Sequence, residues 1–203
     1  MIKFRYLFLI FLSVFLIGCR STPPDNPDNL CIIFKDKRSW YKAAVRTEEK
    51  WGLPPHVLMA IIFQESSFQS NAKPERETLF GFIPWFRPSS AKGYSQALID
   101  TWEDYKKETD RRWVDRNSFS DSADFIGWYA NKGYKQGFRK NDARSIYLAY
   151  HEGYAGFKAR TYRKKQWLIK VADKVQSRSS MYQRQYLRCE KDLQKTKRFL
   201  FFG

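Results

Sequence analysis

Pro55-His56-Val57-Leu58-Met59-Ala60-Ile61-Ile62-Phe63-Gln64-Glu65-Ser66 is the stretch on which the fold turns. The pair Pro54-Pro55 opens a helix, because proline in the first turn gives up no helical hydrogen bond. The helix is expected to run from His56 to about Ser66. Leu58, Ile61 and Ile62 stand seven, four and three residues before Glu65, which puts that carboxylate on the helix's apolar face. Apolar walls disfavour the ionised form and raise the pKa. A general acid working near neutral pH needs such surroundings. The same spacing also fits a helix-end carboxylate at the edge of that face, reaching water. The local pattern leaves both readings open.

On either side of this stretch the patterns are again helical. Ser39 can cap a helix through Lys50, with Trp40, Ala43, Ala44 and Trp51 apolar and Gly52 as its stop. Lys73 to Ser90 holds three prolines and the cluster Phe80, Phe82, Trp85 and Phe86, and reads as a long loop. Gln96 to Thr109 is helical. Ser120 is placed to cap the next helix, and Asn141 the helix Asp142 to Glu152 that Gly153 ends. From Lys164 to about Leu193 a long helix carries Leu168, Val171, Ala172 and Val175 as a buried stripe. Hairpin signals are missing, so the expected fold class is mainly α with a long C-terminal helix.

Met1 to Gly18 reads as an export signal. Lys3 and Arg5 precede an apolar run from Tyr6 to Ile17 that is short for a membrane span. It closes on Leu16-Ile17-Gly18-Cys19, which resembles the bacterial lipobox, where cleavage precedes a Cys that receives acyl chains. An ordinary signal peptide with an incidental Cys, or an uncleaved anchor, is the alternative. Residues 19–30 would then be a lipidated Cys and a flexible stalk, with the membrane as a partner through the N-terminal lipid. Arg20, where an inner-membrane lipoprotein of the enterobacterial type has Asp, points to the outer membrane. With Cys19 consumed by lipid, Cys31 and Cys189 remain. In an oxidising compartment they suggest one disulfide, the alternative being two buried thiols. No metal-ligand spacing is visible, and no metal or other cofactor is expected.

Three short elements then stand in order: Glu65-Ser66, Gly93-Tyr94-Ser95-Gln96, and Ala149-Tyr150-His151-Glu152-Gly153-Tyr154-Ala155-Gly156. Together they resemble the lytic transglycosylases of the soluble (SLT) type, whose lysozyme-like domain carries Glu-Ser, G-L-M-Q and A-Y-N-A-G. The resemblance covers about residues 56–175 and assigns residues 31–203 to a lysozyme-like domain with a basic helical extension. It implies peptidoglycan glycan strands as the partner and a periplasmic location. It also implies cleavage of the β-1,4 bond between N-acetylmuramic acid and N-acetylglucosamine, closing a 1,6-anhydro ring. Glu65 matches the catalytic acid/base, and Ser66 a residue that hydrogen-bonds near the reacting sugar. Gly93 and Gln96 match the ends of the second motif, which lines the substrate groove. Tyr150 matches a tyrosine whose hydroxyl lies close to the catalytic Glu. Tyr94-Ser95 replace Leu-Met and His151-Glu152 replace Asn-Ala, so these four are substrate contacts by position only. Glu152 otherwise caps a turn or pairs with a nearby Arg. A non-catalytic wall-binding lipoprotein on the same fold is the alternative function.

The 203 residues carry 37 Lys+Arg against 21 Asp+Glu, a formal +16 that invites a nucleic-acid reading. The distribution argues against it. Residues 20–157 hold 21 basic and 18 acidic side chains, whereas residues 158–198 hold 14 basic and 3 acidic. The charge belongs to the C-terminal segment, export removes the chain from nucleic acid, and no nucleic-acid motif is present. That segment's basic side is expected to face either water or an anionic surface. Aromatic residues make up 18% of the chain. The Phe80–Phe86 cluster and Trp102 fit either a platform for sugar rings or core, while Trp128 and Tyr129 read as core.

Overall fold

The computed structural model describes residues 22–75, 78–79, 83–84 and 88–199. The expected signal segment, Cys19, and Phe80, Phe82, Trp85 and Phe86 lie outside the described residues. Within them run seven α-helices: α1 Leu30–Asp36, α2 Arg38–Trp51, α3 Pro55–Ser66, α4 Ile99–Thr109, α5 Phe119–Tyr134, α6 Ala143–Lys158 and α7 Gln166–Phe199. A 3-10 turn, Thr161–Lys164, joins the last two. The loop after α3 contains β1 Thr78–Leu79 and β2 Ile83–Pro84, paired antiparallel with Thr78 opposite Pro84.

α3 is the centre of the fold. Every residue from Pro55 to Ile62 is buried, so the helix has no solvated face until its last turn. A helix apolar all round is surrounded by others, and α2, α5, α6 and α7 all pack on it. α2 and α5 form the most extensive helix pair on one side, and α7 covers the other. Arg178 of α7 lies 3.6 Å from the centroid of Phe63 in α3, adding a cation–π contact where α3 emerges.

α7 follows a stricter rule than its sequence stripe suggested. Its buried positions are Leu168, Ala172, Val175, Ser179, Tyr182, Tyr186, Cys189 and Leu193, separated alternately by four and three residues. That is the coiled-coil repeat, and it turns one face of a 34-residue helix, about 51 Å long, onto the domain. Val171, expected in the stripe, is only half-buried.

Several boundaries differ from expectation. Arg38 and Ser39 are already inside α2, and Lys37 precedes it without a side-chain cap. Ser118, not Ser120, caps α5, accepting from the Asp121 amide. Asp142, not Asn141, caps α6, accepting from the Ser145 amide at 2.9 Å. α4 starts three residues later than Gln96, because residues 92–97 close a bridged turn.

The expected stalk ends early. Arg178 pairs with Asp28 at 2.6 Å, the Tyr182 hydroxyl donates to the Pro27 carbonyl, and Gln185 Nε2 donates to the Asp28 carbonyl at 2.9 Å. Asn29 then caps α1, a short helix absent from the sequence reading. The Cys31–Cys189 disulfide joins α1 to α7 with Cα atoms 6.0 Å apart.

Candidate active site

Glu65 sits on the last turn of α3. The turn is stopped by Ser67 and Phe68, both in the left-handed region with φ of 48° and 63°. Two consecutive non-glycine residues there are strained. The reversal is held by Phe68, which is fully buried 5.5 Å from Trp40 and 5.6 Å from Phe63 by ring centroid. The helix therefore ends abruptly at Glu65 and Ser66. Ser66 is buried, and its hydroxyl donates back to the Ile62 carbonyl at 3.1 Å.

Surrounding protein pushes the Glu65 carboxyl up to about 7, against a hydrogen bond from the Tyr147 hydroxyl that favours the ionised form. The helix end adds to this physically, since a C-terminus presents its negative pole to the carboxylate. Of the two readings open in the sequence, the structure selects the desolvated one. α3 is central, so the spacing from Leu58 to Glu65 does not lead to a solvated edge. The side chain nevertheless keeps partial exposure, into a groove.

That groove has a volume of about 910 Å3. Glu65 and Ser66 line it with the exposed Gln69, Asn71 and Lys73 of the following loop and with Lys92, Gln96 and Asn117. Glu75 lies on its exposed rim.

The second motif is a turn clamped from two sides. The Gly93 amide donates to the Ala72 carbonyl at 2.8 Å, and the Tyr94 amide to the Arg116 carbonyl at 3.2 Å. Gly93 has φ of 77°, and a Cβ there would lie 1.9 Å from the Arg116 carbonyl oxygen, so no other residue fits without backbone movement. Gln96, itself at φ 48°, spends its side-chain amide on the carbonyls of Ala72 at 3.0 Å and Gly93 at 2.8 Å. It lines the groove and holds the loop at the same time.

Tyr94 and Ser95, candidate substrate contacts by position, point the other way. Tyr94 is buried between Trp40 and Phe119, with ring centroids 5.5 and 5.4 Å away. Ser95 is fully buried and offers its carbonyl to the Tyr150 hydroxyl at 2.6 Å. The clamp forces this, because alternate residues of so tight a turn cannot all face the groove.

α6 supplies two tyrosines. Tyr150 ties the third motif to the second through Ser95, with its hydroxyl charge disfavoured by burial and then by Glu65. Tyr147, one turn earlier, makes the direct hydrogen bond to Glu65, and burial followed by Glu65 keeps its hydroxyl protonated. Sequence reasoning missed Tyr147. Its position three residues before Tyr150, on the same helix face, was the available signal. Gln69, Asn71, Lys73, Lys92 and Asn117 were also missed, and no spacing marks them, since they come from loops.

His151 and Glu152 do not line this groove. Glu152 is 4% exposed and is held by Lys165 Nζ at 2.7 Å, by the Thr161 hydroxyl and by His151 Nδ1 at 3.2 Å. Lys165 first, then Thr161, keep its carboxyl down at about 2. The partner is thus a lysine, where an arginine was expected. Gly153 follows at φ 71° and ψ 160°, breaking α6 as expected, but helix resumes to Lys158. Glu152 pins that break to the 3-10 turn. His151 is part-exposed, its ring centroid 5.1 Å from that of Trp167. Trp102 is core, beside Tyr105 and Phe125.

A raised carboxyl stands at the end of a buried helix, with a clamped turn and two tyrosines around it, on a mainly helical frame. A family model for the transglycosylase SLT domain matches residues 7–189. The chain belongs to that family. No curated protein and no solved structure matches it. As an SLT domain, the chain has the lysozyme-like all-α fold with a long C-terminal helix, is a member of a transglycosylase-type enzyme family, and has peptidoglycan glycan strands as its substrate class.

Proposed function

We propose that the chain is a peptidoglycan lytic transglycosylase with Glu65 as its single acid/base. The supporting observation is the Glu65 carboxyl near pKa 7 in the groove lining. At neutral pH it is present in both forms, which suits a group that gives a proton and takes one back in the same turnover. Protonated Glu65 donates to the glycosidic oxygen between N-acetylmuramic acid and N-acetylglucosamine as the bond from C1 to that oxygen breaks. The 2-acetamido group of the muramic sugar stabilises the cationic centre from the opposite side. Glu65, now ionised, takes the proton from the C6 hydroxyl, which attacks C1 and closes the 1,6-anhydro ring. The proton is conserved over the cycle. Water is not the acceptor, so the second carboxylate of most glycosidases is not required.

Export completes the proposal. The chain is cleaved before Cys19, acylated there, and held in the periplasm at the outer membrane. The disulfide between Cys31 and Cys189 supports an oxidising compartment. Radiolabelled palmitate should enter the full chain and not its Cys19→Ser variant.

The catalytic reading is tested on residues 20–203 with purified sacculi and mass spectrometry of the muropeptides. Products one water lighter than hydrolysis products should appear, and Glu65→Gln should abolish them. Equal turnover in that variant would remove Glu65 from the chemistry. An inactive chain that still sediments with sacculi would instead establish the wall-binding role. The rim carboxylate Glu75 supplies the competing outcome. Reducing-end products that disappear in Glu75→Gln would make the enzyme a hydrolase with two carboxylates.

A further inference from the structure

The outer side of α7 carries a stripe that the groove does not use. Lys170, Lys174, Arg184, Arg188, Lys191 and Lys195 are all exposed and lie opposite the buried seam from Leu168 to Leu193. From the first to the last, the stripe is about 37 Å long at helical rise. The acidic residues of α7 have partners, one of them Lys195 of the stripe itself, and Glu190 accepts from Gln194 Nε2 at 3.1 Å. Asp173 pairs with Arg144 of α6 at 2.6 Å, and Asp192 with Lys195 at 3.4 Å. Lys170, Lys174, Arg184, Arg188 and Lys191 form no ion pair among the described residues. Leu187, 69% exposed, sits beside them. A row of largely uncompensated cations costs stability through mutual repulsion.

The N-terminal segment places this stripe. Pro27 and Asp28 are fastened to Arg178, Tyr182 and Gln185, on the flank of α7. Thr22, the first described residue, accepts a hydrogen bond from Lys37 Nζ at 3.4 Å, at the end of α1. Cys19 is three residues further, so its attachment point lies within roughly 10 Å of Thr22. α1 is bonded to α7 by the disulfide, and a lipid on Cys19 would bring a bilayer to this edge of the molecule.

We propose that the exposed face of α7 is a docking surface for an anionic lipid bilayer. It fixes the orientation of the domain on the membrane that holds its tether. The location rests on the lipid-anchor reading; the charge does not. Each Lys or Arg near an anionic leaflet strengthens partitioning by roughly fivefold, so the stripe can hold the domain flat with no acyl chain. Leu187 would reach the headgroup boundary, as an apolar side chain on a basic face does.

The test uses residues 20–203, which keep every described element and lack the lipid. The chain is sedimented with vesicles of phosphatidylcholine alone, and with phosphatidylcholine and phosphatidylglycerol at about seven to three. Binding should require phosphatidylglycerol and fall away in roughly 0.5 M salt. The triple variant Arg184→Gln, Arg188→Gln, Lys191→Gln should partition roughly a hundredfold more weakly, three factors of about five. The control triple Lys107→Gln, Arg112→Gln, Lys135→Gln, exposed cations on α4 and the loops after α4 and α5, should bind as wild type. Helical circular dichroism verifies that each variant is folded. Equal losses in both triples, equal binding to neutral vesicles, or no vesicle binding would overturn the proposal. So would a stripe variant that loses only its sedimentation with sacculi, because the face would then read acidic wall peptides. The stripe variant should digest soluble glycan strands at the wild-type rate, which separates this result from any failure of the Glu65 assignment.

Discussion

Glu65 sits where its own charge costs stability. Its folded pKa of about 7 lies above the ordinary 4.5, so the fold favours the protonated form. That benefit is complete below about pH 4.5 and is lost as pH rises through 7. Glu65→Gln is neutral throughout. It should match wild type in urea unfolding near pH 4 and exceed it near pH 8 by about 2 kcal/mol, after allowing for groove water around a part-exposed side chain. A variant no more stable than wild type at pH 8 would place the carboxyl in ordinary solvent. Tyr147 acts on the same equilibrium with the opposite sign, because its hydrogen bond favours the carboxylate. Tyr147→Phe should raise the Glu65 pKa further and move the alkaline fall of activity upward by on the order of half a unit to one unit. An unmoved pH profile would leave Tyr147 as packing alone. At this scale the sequence placed Glu65 on an apolar face and gave its surroundings only in part. The spacing of Leu58, Ile61 and Ile62 pointed at the carboxylate. Whether that face was a core or an edge depended on how many helices cover α3, and the unbroken apolar run from Val57 to Phe63 was the available sign that it is covered all round.

Elements were most legible where a periodicity ran long and least where a single cap decided a boundary. The α7 stripe was visible from four residues, and the structure extends it to a seam through Leu193. α1 went unseen because seven residues give too few turns for a period to register, and its stability comes from α7 more than from itself. Ser118 and Ser120, or Asn141 and Asp142, are equally good caps by chemistry, and tertiary geometry chose between them. The second motif shows the same limit. Gly93 announced a tight turn, but which of Tyr94, Ser95 and Gln96 face the groove follows from the clamp between Ala72 and Arg116. In α6, Glu152 holds the fold together, binding Lys165 and Thr161 across the Gly153 break. Its pKa is lowered to about 2, so its contribution is present above about pH 4.5 and lost as pH falls through 2. Lys165 is 42% exposed, which trims the pair to about 1–2 kcal/mol. Glu152→Gln should lower the unfolding free energy by that amount at pH 7 and converge on wild type below pH 2. A variant with wild-type stability and impaired glycan cleavage would return Glu152 to the substrate groove.

Across the whole molecule, α7 ties together parts of the chain that are far apart in sequence. Its seam packs on α3, α6 and α1, its flank receives Pro27 and Asp28, and Cys189 closes a link to Cys31. The net charge of +16 was the most misleading global number, and dividing it along the chain relocated most of it to residues 158–198, where α7 holds nine basic and three acidic side chains and the approach to it five basic ones. The pairing of two cysteines was an arithmetic inference, and the fold shows what the bond does: it staples the first helix to the last. The bridged residues are 158 positions apart. Closing a loop of that length removes denatured-chain entropy equivalent to about 5 kcal/mol in the simplest model, and native disulfides commonly deliver about 2–4. Other contacts hold the same junction. The Leu30 amide donates to Gln185 Oε1 at 2.8 Å, and Arg38 Nη2 donates to the Leu193 carbonyl at 2.8 Å. The double variant Cys31→Ser, Cys189→Ser should therefore fold with wild-type helical content in buffer, yet unfold about 3 kcal/mol more easily in urea. Dithiothreitol should bring the wild-type midpoint to that of the variant. A midpoint unchanged by both treatments would mean that α1 is held by its hydrogen bonds and burial alone, with the long loop already constrained in the unfolded chain.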